Sequence, residues 1–165
     1  MGNIKNVLFL CSGNTSRSPA AEYIAKWLKE TKYKDELNNV FFDSAGLYSY
    51  YKTPQEGTTK YLKSKNIDYS DFKGKQITAD LVKKQDLILG FEEKWHIRKL
   101  KRRFKDLKEL NNKTFLLLDF AGERDDLEIS DPINFEPDEY HHVLKKIENG
   151  VEKVLIKIIE INKSS

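Results

Sequence analysis

Cys11 is followed six positions later by Arg17 and seven positions later by Ser18, and the 165 residues contain no other cysteine. A thiolate is a strong nucleophile, and a guanidinium presents two parallel N–H donors that match two oxygens of a phosphate. Between them Ser12, Gly13, Asn14, Thr15 and Ser16 supply successive backbone amides that can converge on an anion. Gly13 lets the backbone curl without a side-chain clash, and Asn14 is among the few other residues that accept a left-handed conformation. A helix expected to begin near Pro19 adds about half a positive charge at its N-terminus. The spacing describes a nest for one phosphate with a nucleophile beside it. The field that draws phosphate also favours thiolate over thiol, and Ser18 stands where its hydroxyl can bond Sγ and stabilise it as a leaving group. A lone cysteine is ordinarily a small buried hydrophobe. At this chain's frequencies of Arg and of Ser plus Thr, however, finding both at those positions after the only Cys has a chance of about three in a thousand. The loop is not a nucleotide-binding Walker motif, because it lacks the second Gly followed by Lys.

Such a loop needs a strand before it and a helix after it. Val7-Leu8-Phe9-Leu10 is a continuous apolar run that reads as a strand buried on both faces of a parallel sheet. Comparable runs are Val40-Phe41-Phe42, Leu87-Ile88-Leu89 and Phe115-Leu116-Leu117-Leu118, each far enough from the next to hold a crossover helix. Ala20, Ala21, Ile24, Ala25 and Leu28 fall on one helical face after Pro19. Thr53-Pro54-Gln55-Glu56 has the pattern of a capping box and predicts a second helix toward Ser64. Ile97, Leu100, Phe104 and Leu107 continue at helical spacing, and Pro137 introduces a last helix with the stripe Val143, Ile147, Val151, Leu155 and Ile158. The expected fold is one α/β domain over residues 1–165, a four-stranded parallel sheet flanked by helices on both faces. Ligands bind beyond the carboxyl ends of such strands, and Cys11 directly follows the first.

The run from Val7 to Glu22, with Cys11-Ser12-Gly13-Asn14-Thr15-Ser16-Arg17-Ser18-Pro19 at its centre, resembles the N-terminal signature of the low-molecular-weight protein tyrosine phosphatases. The similarity continues through Asp43-Ser44-Ala45-Gly46, Lys75-Gln76-Ile77-Thr78, Asp86-Leu87-Ile88-Leu89 and Asp131-Pro132, and so covers nearly the whole chain. It implies hydrolysis of phosphotyrosine or small aryl phosphates through a phosphocysteine on Cys11, with inorganic phosphate as product. Asp131, on residues alone an ordinary Asp-Pro turn, becomes the general acid. Asn14, Ser18 and Ser44 become the braces of the phosphate loop. Three departures accompany the resemblance. The family often has a histidine before Lys75-Gln76, and Phe72 is expected to take its place. Ser16 stands where many members carry a second cysteine, so oxidation of Cys11 proceeds to sulfenic acid without an intramolecular disulfide. Ile133-Asn134-Phe135 follows Asp131-Pro132 where aromatic residues often form a cleft wall. Leu47-Tyr48-Ser49-Tyr50-Tyr51 is expected to compensate, Tyr50 foremost; the alternative is a Tyr-rich surface loop.

The remaining features constrain partners. With 29 Lys and Arg against 26 Asp and Glu, the formal charge is +3, which tolerates anionic ligands without implying nucleic acid. The basic run from Lys94 to Lys105 reads as a solvated helix face. No apolar run approaches the roughly 20 residues of a membrane span, so a cytoplasmic monomer is expected. His96, His141 and His142 lack metal-ligand spacing, and no metal or cofactor is expected. Two rivals remain. Arsenate reduction on the same scaffold needs further cysteines, or external thiols. A phosphopeptide-binding module without turnover would need neither Cys11 nor Asp131.

Overall fold

The computed structural model describes residues 1–165. Four parallel strands, β1 (Asn6–Cys11), β2 (Phe41–Gly46), β3 (Leu87–Gly90) and β4 (Thr114–Leu116), form one sheet in the order β2-β1-β3-β4. Because β1 lies between β2 and β3, the connections leaving it and returning to it diverge to opposite sides. The carboxyl end of β1, where Cys11 sits, is therefore the topological switch point, the one place in the sheet where a crevice opens between connections.

Alternation along the strands divides the core. Val7 and Phe9 of β1 and Leu87 and Leu89 of β3 face the larger layer, which the helices α1 (Arg17–Thr31) and α6 (Pro137–Lys163) cover. Leu8, Leu10, Ala45 and Ile88 face the opposite side, packed with Val82 of α3 (Ala79–Lys84) and Leu100 of α4 (Arg98–Arg103). Both faces of the sheet are thus buried, as continuous apolar strands require. The helix α2 (Glu56–Ser64) packs on α1 and α6, and a short α5 (Leu117–Phe120) closes the far edge.

Several boundaries differ from the pattern-based expectation. The apolar run Phe115–Leu118 is not one strand: pairing with β3 stops at Leu116 opposite Gly90, and Leu117 turns into α5 to pack against Gly150 of α6. The second helix starts at Glu56, with neither Thr53 capping it nor Pro54 inside it. The Gln55 N–H donates instead to the Thr15 carbonyl at 2.7 Å, so the approach to α2 is set by the phosphate-loop segment. The stretch around Ile97 is not a continuous helix either; a π-helical turn, Glu93–Ile97, precedes α4, which ends at Arg103. α3 follows Thr78, whose hydroxyl accepts the Leu81 N–H at 3.1 Å, a cap outside the apolar pattern. No helix is long and apolar enough to cross a membrane.

Candidate active site

The segment from Ser12 to Ser16 links β1 to α1, and its carbonyls and amides are used very differently. The carbonyl of Cys11 accepts from Leu47 N, that of Ser12 from Tyr48 N, that of Thr15 from Gln55 N and that of Ser16 from Ala20 N. The surrounding chain therefore holds the carbonyl side of the loop. By contrast, none of the backbone N–H groups from Ser12 to Ser18 finds an acceptor in the protein. Several belong to buried residues, where an unmet donor is costly unless a ligand meets it. The curl is made at Asn14, with φ of 50°, rather than at Gly13, which stays out of the left-handed region. Cys11 lies at the end of β1, nearly buried.

A chain of buried hydrogen bonds fixes the loop from behind. Lys75 N–H donates to Asn14 Oδ1 at 3.0 Å, which settles the amide's orientation. Asn14 Nδ2 then donates to Ser18 Oγ at 3.0 Å and to Ser44 Oγ at 2.9 Å. Since Ser18 already accepts from Asn14, its own proton is free for Cys11 Sγ, 2.9 Å away. Ser44 passes its proton to Glu22 Oε1 at 2.5 Å, and Glu22 in turn holds the Lys26 ammonium at 2.6 Å. Burial pushes the Glu22 carboxyl up, with Lys26 and the Ser44 hydroxyl opposing the rise. Phe72 does not enter this network. It stacks edge-on to Tyr23 with centroids 6.2 Å apart, and Glu22 supplies the polar terminus of the chain.

Arg17 is almost wholly buried at the start of α1, above the Phe91 ring. Its Nη1 donates to Glu92 Oε2 at 2.7 Å and to the Ile129 carbonyl at 2.8 Å. Nε, although buried, has no partner, and Nη2 comes no closer than 3.9 Å to Asp131 Oδ2. One edge of the guanidinium is therefore anchored and the other, with its two parallel donors, is unused. Asp131 is half-exposed on the loop before α6, its Oδ1 accepting the Ile133 N–H at 3.1 Å. Ser44 and Asp131, far from the loop in sequence, thus lie against the segment that carries Cys11, Arg17 and Ser18.

Other residues of the site carry no sequence signal. His96 sits in the π-helical turn with its ring fully buried. Its Nδ1 accepts the backbone N–H groups of Phe91 and Glu92, both at 3.0 Å. The proton must then reside on Nε2, which points at Ser12 Oγ 3.2 Å away. Burial, with the Arg17 charge adding to it, holds the imidazole down to about 3, so it is neutral. On the other flank Ser16 Oγ lies 2.6 Å from the Tyr140 hydroxyl, which is 2.9 Å from Thr58 Oγ1; Thr58 donates to the Ser16 carbonyl at 3.1 Å. The position that often carries a second cysteine is here tied into a hydroxyl cluster beneath the loop. A side chain on Gly57 would press within 2.7 Å of the Tyr140 ring, so glycine permits this contact.

The aromatic stretch is only partly where expected. Tyr50 and Tyr51 are both exposed, and it is the Tyr51 ring edge that comes within 3.4 Å of the place a Cβ would take on Gly13. Tyr48 is also exposed, its hydroxyl donating to the Trp95 carbonyl at 3.3 Å.

Comparison with known proteins accords with this geometry. The family model described as low molecular weight phosphotyrosine protein phosphatase matches residues 6–164. The low molecular weight protein-tyrosine-phosphatase YfkJ of Bacillus subtilis is 27% identical over 157 residues, 93% of this chain and 95% of that protein. The YfkJ crystal structure superposes with a TM-score of 0.83, covering 99% of this chain and 98% of its own. The tyrosine phosphatase AmsI of Erwinia amylovora gives a TM-score of 0.77 at 27% identity, over 93% and 92% of the two chains. An arsenate reductase of Brevibacillus brevis is 38% identical over a shorter stretch of 89 residues, 54% of this chain and 60% of that protein. With a match over nearly its full length and a four-stranded parallel sheet like that of these structures, the chain belongs to the low molecular weight phosphotyrosine protein phosphatases, a family of hydrolases.

Proposed function

We propose that the protein hydrolyses phosphate monoesters, phosphotyrosine in proteins foremost, through a phosphocysteine on Cys11. The observation that carries this reading is the set of unmet donors around Sγ: the loop N–H groups from Ser12 to Ser18 together with the unused edge of Arg17. Seven amides and two guanidinium donors left unmet in the loop that begins at this sulfur suit three equatorial oxygens of a phosphoryl group better than any neutral ligand.

The Cys11 thiolate attacks phosphorus in line, forming the S–P bond as the ester P–O bond breaks. Asp131 gives its proton to the departing oxygen, releasing the alcohol or phenol. The Asp131 carboxylate then takes a proton from water as that water attacks phosphorus. The S–P bond breaks, inorganic phosphate leaves, and the Ser18 hydroxyl steadies the returning thiolate. Glu92 and the Ile129 carbonyl keep Arg17 oriented throughout, and the Asn14, Ser44 and Glu22 chain keeps the loop from relaxing toward its unmet amides. Tyr51 beside Gly13, with Tyr50 next to it and both exposed, supplies an aromatic side for a phenyl ring.

The likeness to an arsenate reductase favours a second reading, reduction of arsenate with thiols from outside, since Cys11 has no partner cysteine within the 165 residues. Purified protein given p-nitrophenyl phosphate or a phosphotyrosine peptide, without added metal, separates these readings. Hydrolysis should fall by at least about a thousandfold in Cys11→Ser. Equal rates in the two proteins would remove the phosphocysteine, and thiol-dependent arsenate reduction without phosphate release would favour the rival.

A further inference from the structure

We infer that the surface beside the phosphate loop formed by Tyr48, Lys94, Trp95, Lys99 and Arg103 receives acidic residues flanking the phosphorylated residue of a protein substrate. The inference rests on the phosphatase reading above and adds a sequence preference to it.

The basic run has the composition of a solvated helix face, but the π-helical turn breaks it into two sides. His96, Ile97 and Leu100 go inward, while Trp95 is left 46% exposed. The Lys94 and Lys99 ammonium groups lie 4.9 and 5.8 Å from the Trp95 ring centroid. Tyr48 joins this cluster to the loop. Its N–H and that of Ser49 donate to the Ser12 carbonyl at 3.0 and 3.4 Å, and its hydroxyl reaches the Trp95 carbonyl. Arg103 lies over the Tyr48 ring and bonds the Leu47 carbonyl. The patch therefore begins one residue from the nucleophile. At about 3.3 Å per residue, an extended substrate places its next few side chains on it.

Charge identifies the occupant. Lys94, Lys99 and Arg103 pair with no carboxylate, while Glu92 is committed to Arg17 and Glu93 lies 3.7 Å from Arg98. Carboxylates of a bound peptide would complete these pairs, with the aromatic faces covering the peptide's methylene groups. Nucleic acid fits less well, because the patch adjoins a nest sized for a single phosphate, which suits the short flanks of one phosphorylated residue better than a repeating phosphate backbone.

The test compares kcat/KM for two phosphotyrosine peptides that differ only in having aspartate or asparagine on both sides of the phosphorylated residue. Two exposed pairs give an expected preference for the aspartate peptide of about tenfold at low salt, much reduced at about 0.5 M salt. The double variant Lys94→Glu with Lys99→Glu should abolish or reverse the preference. Equal values for the two peptides in the native protein, or a preference that survives the charge reversal, would overturn the inference. p-Nitrophenyl phosphate has no flanks and reports the reaction alone. If it is hydrolysed through Cys11 and neither peptide is, the protein-substrate reading falls and this inference with it; if both peptides are hydrolysed equally, only this inference falls.

Discussion

His96 makes acid stability a sharp probe of the site. In the folded protein its ring is sealed from solvent, Nδ1 is committed to two backbone N–H donors, and the Arg17 guanidinium is close by. Charging the ring would require losing both bonds and placing a second cation beside Arg17. The only nearby compensation is Glu92, whose Oε2 lies 3.8 Å from Nε2 and is already held by Arg17. The imidazole therefore stays neutral down to about 3, whereas in the unfolded chain it takes a proton near 6.5. Between these values the unfolded state binds more protons, so the stability of the fold is intact above 6.5 and falls as pH drops through that window. Linkage gives a loss of about 2 kcal/mol between pH 7 and pH 5, and a folded value one unit higher barely alters it, because both lie below the lower pH.

Glu22, raised by burial, acts in the opposite direction, since on acidification its folded form takes up its proton at a higher pH than the unfolded form does. A single protein's pH profile therefore mixes these two groups with the carboxyls held low by their partners, Asp68, Glu148 and Glu152. The comparison with His96→Asn separates them. Asparagine places an acceptor oxygen on Cγ, as histidine places Nδ1, so the Phe91 and Glu92 N–H groups keep a partner while the titrating ring is gone. The variant should be less stable at pH 7 by about 1–3 kcal/mol, through lost packing and the lost Ser12 contact. Urea denaturation at pH 7 and pH 5, at fixed ionic strength, reads both proteins. The gap between them should narrow by about 2 kcal/mol on acidification. Parallel losses in the two proteins would refute the assignment of a buried neutral imidazole.

Two further substitutions test the remaining supports. Asp131→Asn should slow substrates with poor leaving groups, such as alkyl phosphates, more than p-nitrophenyl phosphate by about tenfold or greater; a uniform slowing would show that Asp131 does not protonate the leaving oxygen. Gly57→Ala drives a methyl group into the buried Tyr140 ring, whose hydroxyl is held by Ser16 and Thr58, and should cost about 1–3 kcal/mol by denaturant unfolding. It should also lower phosphatase turnover, since Tyr140 holds Ser16; full stability would mean that the ring yields freely.

The arrangement of the loop was legible because it is local. Cys11, Arg17 and Ser18 lie within eight residues, and a strand, an anion nest and a helix N-terminus each leave a pattern in adjacent positions. The parallel sheet was legible for a similar reason: strands buried on both faces must be apolar throughout. Tertiary packing alone brought in the residues that make the loop rigid. Glu92 anchors Arg17 from 75 positions away, and Tyr140 ties Ser16 from 124. Glu22 ends the Ser44 chain because α1 turns its face toward β2, and His96 reaches Ser12 because a π-helical turn redirects it. None of these types is unusual on a helix, so nothing in their spacing marks them. The strand end at Leu116 and the late start of α2 have the same origin, a partner elsewhere in the chain competing with the local pattern. Sequence determined the loop that sets Cys11, Arg17 and Ser18 side by side and the sheet beneath it; which groups orient Arg17, brace the loop from behind and surround its mouth with charge was decided by contacts between distant segments.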